Sequence, residues 1–196
     1  MANNINKLLQ EIKGCNVCKN HLPHGANPVL TAGVSSRIVV VGQAPGRAVH
    51  ETGIPWNDKS GDNLRSWMGV GKSIFYNTHM ISLIPAGFCY PGTGKNGDLP
   101  PRKECAPMWH QKLLNEMGQV ELIILAGQYA QKHYLNKSAK GNLTATVQNF
   151  EEYLPKFFPL PHPSPRNNIW QAKNRWFKAE VLPVLKNEVN RILSHK

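Results

Sequence analysis

The sequence predicts an α/β protein, a three-layer α/β/α sandwich around a mainly parallel four-stranded sheet. Three observations predict it. Ile38-Val39-Val40-Val41 and Leu122-Ile123-Ile124-Leu125 are unbroken apolar runs. Such runs read as strands buried on both faces, the signature of a parallel sheet covered by helices. Strand-like and helix-like segments alternate along the chain, which is the α/β pattern. The chain is also long enough, at 196 residues, for one domain with a proper core and short for two. The expectation is a single domain over 1–196.

Taken in order, Ile5, Leu8, Leu9 and Ile12 share one face of a first helix, and Gly14 stops it. The stretch 21–36 is turn-rich and is expected to wrap the sheet edge. The first strand ends at Gly42, and a loop rich in Gly and Pro follows it. Ser60 is read as the cap of a helix over Asp62–Met68. Ser73–Leu83 reads as the second strand, with Thr78 and His79 between apolar residues. Pro85–Pro101 is too dense in Gly and Pro for regular structure. A helix opens at Pro101 or Arg102 and ends near Met117-Gly118. The third strand leads through Gly127 into a short helix, Gln128–Leu135. Lys137–Thr146 reads as a loop. Phe157–Leu160 is the fourth strand, followed by the rigid loop Pro161–Asn168. A final helix is expected over Trp170–Leu193, bent at Pro183.

Charge narrows the partners. Lys and Arg number 23 against 12 Asp and Glu, a net charge of +11. Residues 156–196 hold eight Lys/Arg and two Glu, a net of +6. A strongly basic small protein suggests a polyanionic partner, nucleic acid before others. No apolar run approaches the ~18 residues needed to span a bilayer. The N-terminal residues lack the apolar core of a signal peptide. A cytoplasmic, nucleoid-associated monomer with no membrane partner is expected. In that compartment structural disulfides are disfavoured. For Cys15, Cys18, Cys89 and Cys105, metal ligation and plain burial both remain open. Cys15-Asn16-Val17-Cys18 lets two thiolates approach one metal atom.

Two loops leave the carboxyl ends of buried strands, where open α/β sheets bind ligands. One carries Gly42-Gln43-Ala44-Pro45-Gly46, then Gly53-Ile54-Pro55-Trp56-Asn57-Asp58 and Ser60-Gly61. The other carries His162-Pro163-Ser164-Pro165-Arg166-Asn167. On these residues the chain resembles the uracil-DNA glycosylase superfamily. The resemblance covers nearly the whole chain, with both motifs in order and each at a strand end. The iron–sulfur branch, often called family 4, is the most similar. The resemblance implies that Cys15 and Cys18 join Cys89 and Cys105 to hold a four-iron–four-sulfur (4Fe-4S) cluster. Fifteen residues separate the latter pair, as in that branch. Four thiolates suit such a cluster. A tetrahedral zinc site, or no metal, is the alternative.

The resemblance further implies a DNA repair enzyme of base excision, a monofunctional hydrolase rather than a lyase using Lys59. It would cut the N-glycosidic bond of uracil, or another deaminated base, flipped out of DNA. His162 would donate to the uracil O2 as negative charge grows on the leaving ring. Gln43 and Asp58 complete the catalytic set. Gly42, Ala44, Pro45 and Gly46 would bind the base through backbone groups, and Trp56 would stack on it. Ser164, Arg166 and Asn167 would contact DNA, with Lys173, Arg175 and Lys178 as flanking candidates. The segment Ile84–Phe88 before Cys89 fits the pattern of the branch poorly, and two further departures stand out. Gln43 replaces a Glu, so the usual water-orienting carboxylate is absent, and Asp58 or Glu51 would substitute. The Asn that reads the uracil edge has no direct match, and Asn77 or His79 is the nearest candidate. A catalytically weak or inactive iron–sulfur DNA-binding relative that recognises lesions is therefore the alternative function. A nucleotide-binding α/β enzyme is disfavoured, since no Gly-x-Gly-x-x-Gly or Walker loop follows the first strand.

Overall fold

The computed structural model describes residues 2–95 and 97–194. Four parallel strands form the central sheet: β1 (Ile38–Val41), β2 (Ile81–Leu83), β5 (Leu122–Ala126) and β6 (Phe157–Leu160). Their order is β2-β1-β5-β6, so the two most apolar runs lie at the centre. Register pairs Ile38 with Ile81 and with Leu122, and Ile123 with Phe157. Every residue of β1 and β5 is buried. Alternate side chains feed two cores. On one face Ile38, Val40 and Ile124 meet α3 (Lys59–Met68) and α9 (Leu182–Ser194). On the other, Val39, Val41 and Ile123 meet α1 (Ala2–Lys13), α5 (Cys105–Glu116) and α6 (Gln128–Leu135). Burying each such side chain contributes about 1.5–3 kcal/mol. The three-layer α/β/α architecture with a parallel four-stranded sheet is thus the one the alternation predicts.

Several local expectations are corrected. The segment read as a second strand is mostly not one. Lys72–Phe75 is a one-turn helix, α4, and the Asn77 carbonyl then accepts from the N–H groups of Met80 and Ile81 in a tight turn. Only Ile81–Leu83 reaches the sheet, because β1 offers partners no further. Within the Gly/Pro-rich stretch a small hairpin forms, β3 (Thr93–Gly94) with β4 (Gly97–Asp98). The helix expected from Pro101 starts at Cys105. The stretch read as a loop contains α7 (Leu143–Gln148), capped by the Asn142 side chain on the Ala145 N–H. The last helix is broken before Pro183. It comprises α8 (Asn168–Lys173), a π-helical turn at Phe177–Val181, and α9. Among the described residues no helix is long and apolar enough to cross a membrane.

Candidate active site

The cap of α3 is Asp58 rather than Ser60. Its backbone is extended, and its Oδ1 accepts from the Gly61 N–H at 2.8 Å. This fixes the end of the loop that begins at Gly42. Between them, Trp56 adopts a left-handed backbone, φ 56°, which a bulky residue tolerates only under constraint. The constraint is visible. The Trp56 carbonyl accepts from Arg65 Nη1 at 3.4 Å and from the Tyr76 hydroxyl at 3.3 Å. Arg65 is buried, ion-paired to Asp62 at 2.5 Å and stacked over Phe75 and Tyr76. Two glycines make room for the ring and its carbonyl. A Cβ at Gly42 would stand 2.5 Å from Trp56 Cζ2, and one at Gly61 would stand 1.8 Å from the Trp56 oxygen.

The second loop leaves β6 and is pinned at each end. Gln131 Nε2 donates to the Leu160 carbonyl at 2.8 Å. Asn167 Nδ2 donates to the His162 carbonyl at 2.6 Å, and Asn63 Nδ2 to the Pro163 carbonyl at 2.8 Å. Asn167, read in the sequence as a DNA contact, therefore has its amide nitrogen committed to holding the loop. Ser164 Oγ accepts from the Arg166 N–H at 3.3 Å. The His162 ring stacks on Trp56 with centroids 5.7 Å apart.

The His162 tautomer follows from its partner. The Ser164 N–H donates to Nδ1 at 3.2 Å, so that nitrogen carries the lone pair and Nε2 carries the proton. Burial pushes the imidazole pKa below its ordinary value, against the opposing pull of the Asp58 charge. The side chain is a neutral Nε2–H donor.

Both loops meet around one cavity of about 280 Å³. Gly42, Gln43, Ala44, Pro45 and Gly46 form one wall, Trp56 and Asp58 another, and His162, Ser164 and Arg166 a third. The volume sits at the lower edge of the ~300–1,000 Å³ usual for ligand sites, room for one base rather than a dinucleotide. The N–H groups of Gln43, Ala44 and Gly46 have no hydrogen-bond partner among the described residues. Such free donors suit an oxygen or a growing negative charge. A larger groove of about 790 Å³ runs beside the cavity, between Leu99–Pro107 and α6, and none of the expected catalytic residues lines it.

Three sets of candidate residues lie away from this cavity. Asn77 and His79 do not reach the cavity. They precede β2 and so lie at the amino end of a parallel strand, whereas the cavity lies at the carboxyl ends. There Asn77 Oδ1 accepts from the His79 N–H, and His79 Nδ1 bonds Ser35 Oγ at 3.0 Å. Glu51 pairs with Arg47 on α2 (Arg47–Thr52) and lines no part of the cavity. Arg175 and Lys178 line a separate shallow cleft with Gln171. Conversely, Pro85 and Asp98 line the cavity unannounced by any motif. Asn63 and Arg65, which brace the two loops, are likewise polar helix residues with no local signature.

The four cysteines are free thiols, with Cys18, Cys89 and Cys105 buried. Cys89 lies within electrostatic reach of Cys15 and Cys18, and Cys105 within reach of all three. Burial pushes Cys89 and Cys105 up to about 11, partly opposed by hydrogen bonds from the Asn27 and Phe88 backbones. Cys18 is raised too, against a hydrogen bond from Arg102. No three His, Cys, Asp or Glu residues among those described are drawn together closely enough to enclose a metal ion. The family model for the uracil DNA glycosylase superfamily matches residues 30–186, most of the chain.

Proposed function

The chain belongs to the uracil-DNA glycosylase superfamily, and from that premise we propose that it is a monofunctional DNA glycosylase acting on uracil or another deaminated base. One observation carries the reading. A neutral Nε2–H donor, His162, faces a base-sized cavity whose other wall is a loop of unpartnered N–H groups. A base stacked in a duplex is out of reach, so the nucleotide is flipped into the cavity. Trp56 stacks on it, worth about 1–3 kcal/mol. As the glycosidic bond lengthens, the sugar gains oxocarbenium character and the base gains negative charge. His162 Nε2–H and the Gln43–Gly46 amides receive that charge. Ser164 and Arg166, at the rim, hold the backbone phosphates.

Incubation with oligonucleotides carrying one uracil, hypoxanthine or xanthine, followed by alkali, tests the reading. A strand break at the lesion is the expected result. Intact DNA throughout would support instead a silent lesion-binding relative, the reading that Gln43 in place of a carboxylate favours. Gly42→Ala supplies a second check. Its Cβ would displace the indole of Trp56, and a reacting group misplaced by about 1 Å costs roughly 10- to 100-fold in rate. Single-turnover rates should fall by that amount, with the melting temperature lowered only by the few degrees that such local overpacking costs.

The proposal extends to the iron–sulfur branch. Cys15, Cys18, Cys89 and Cys105 provide an all-thiolate donor set, which fits a four-iron–four-sulfur cluster and also zinc. When bound, the group acts as a structural cross-link and takes no part in base removal. The residues tie the arm after α1 to the hairpin loop, whose regular structure is only two residues per strand. Freshly purified protein is expected to be brown, with iron and acid-labile sulfide. Colourless protein carrying stoichiometric zinc would replace the cluster with a zinc site.

A further inference from the structure

We infer that Asp98 is the carboxylate that orients the attacking water, an assignment that rests on the glycosylase reading above. Three features of the cavity lead to it. First, hydrolysis needs a water held against the anomeric carbon, and Gln43 can position one but cannot take its proton. Second, Asp58 and Asp98 are the only carboxylates lining the cavity among the described residues. Asp58 already spends one oxygen on the Gly61 N–H as the cap of α3. The Asp98 backbone pairs in the hairpin, and its carboxylate makes no hydrogen bond or ion pair among the described residues. Third, Asp98 stands at the right depth. A flipped base enters leading with its ring, so its sugar trails at the mouth. Trp56 and His162 form the inner wall, while Asp98 and Arg166 are exposed at the rim.

The hairpin is built to hold that position. The Leu99 N–H donates to the Gly92 carbonyl at 2.8 Å, and the Tyr90 hydroxyl bonds Thr93 Oγ1 at 2.5 Å. Its tip packs so closely on the second loop that a Cβ at Gly97 would lie 2.3 Å from Arg166 Nη1. On the other side, a Cβ at Gly46 would lie 3.3 Å from Asp98 Oδ2. The carboxylate thus bridges the space between the two motif loops.

In the step assigned to it, the C1′–N bond breaks and its electron pair leaves with the base. A water lone pair forms the C1′–O bond. The water's proton passes to Asp98 and then to solvent, and the base anion regains a proton from solvent. The negative carboxylate also stabilises the cationic sugar before attack.

Asp98→Asn in the full-length protein tests this on a uracil oligonucleotide under single-turnover conditions. The rate should fall about 100-fold, the scale of a lost general base, with DNA affinity by fluorescence anisotropy unchanged. Formate should restore part of the rate to Asp98→Ala. Asp58→Asn should instead lower the melting temperature, because it weakens the cap of α3. If Asp98→Asn cuts at the wild-type rate while His162→Ala is inactive, the glycosylase reading stands and the Asp98 assignment is wrong. A slow Asp98→Asn with no formate rescue of Asp98→Ala overturns the assignment equally. Wild-type protein inert on every base would overturn both.

Discussion

His162→Ala is expected to slow base excision by about 10²–10³-fold, the usual cost of losing one donor aimed at a developing charge. The loss should appear in the chemical step, with binding to uracil-containing DNA nearly unchanged. Three constraints make this donor hard to replace. The imidazole is held through its own carbonyl by Asn167 and through Nδ1 by the Ser164 N–H. It is packed against Trp56. It is also neutral, because burial opposes the imidazolium. A neutral donor needs no proton from solvent, so activity should persist below the ordinary imidazole range. It should fall only as pH drops to the depressed pKa, where protonation of Nδ1 would set two N–H groups against each other. Nitrogen NMR of the free protein provides an independent check. At neutral pH His162 should show a protonated Nε2 and a bare Nδ1. A charged ring or the opposite tautomer would remove the basis for its role, whatever the kinetics of the alanine variant.

The parts of this site that were legible in the sequence are those where local chemistry and fold agree. The apolar runs of β1 and β5 could only be double-buried strands, and the Gly- and Pro-rich loops after β1 and β6 had to lie at their carboxyl ends. The parts that were not legible depend on contacts between distant residues. Nothing in Ser73–Leu83 distinguishes three strand residues from eleven, because the length of β2 is set by what β1 pairs with. Asn77 was misplaced for the same reason. A strand begun too early carries its end residues to the wrong side of the sheet. The hairpin that presents Asp98 has strands of two residues, too short for any periodicity. Asn63 and Arg65 look like solvent-facing helix residues until the loops they brace are folded onto them. Asp58 and Ser60 are both good caps, and only the backbone path through Trp56 decides between them.

Acid should weaken the fold through one histidine that lies outside the reaction. His110 on α5 is 2% exposed. A carbonyl can only accept, so the 3.0 Å bond to the Pro85 oxygen places the proton on Nε2. Nδ1 then accepts from the Tyr134 hydroxyl at 2.8 Å. Burial pushes Tyr134 up, so it remains a phenol donor. Burial, with a lesser push from His133, takes His110 from 6.5 down to about 4. The unfolded chain therefore binds a proton near pH 6.5 that the folded chain refuses until about pH 4. The stabilisation is fully present above the unfolded value. It is lost as pH falls through the interval, by about 3 kcal/mol in all. Denaturant melts of wild type and His110→Gln across this range isolate the effect. Gln keeps a donor for Pro85 and an acceptor for Tyr134 but does not titrate. The variant should be the less stable at pH 7, and its deficit should shrink by about that amount towards pH 4. Curves that stay parallel would mean the imidazole is not held neutral by the fold. Because Pro85 also lines the cavity, the same bond couples α5, and with it Cys105, to the wall that faces the base. Protonation at Nδ1 takes away the acceptor of the Tyr134 hydroxyl and leaves the bond to Pro85 in place.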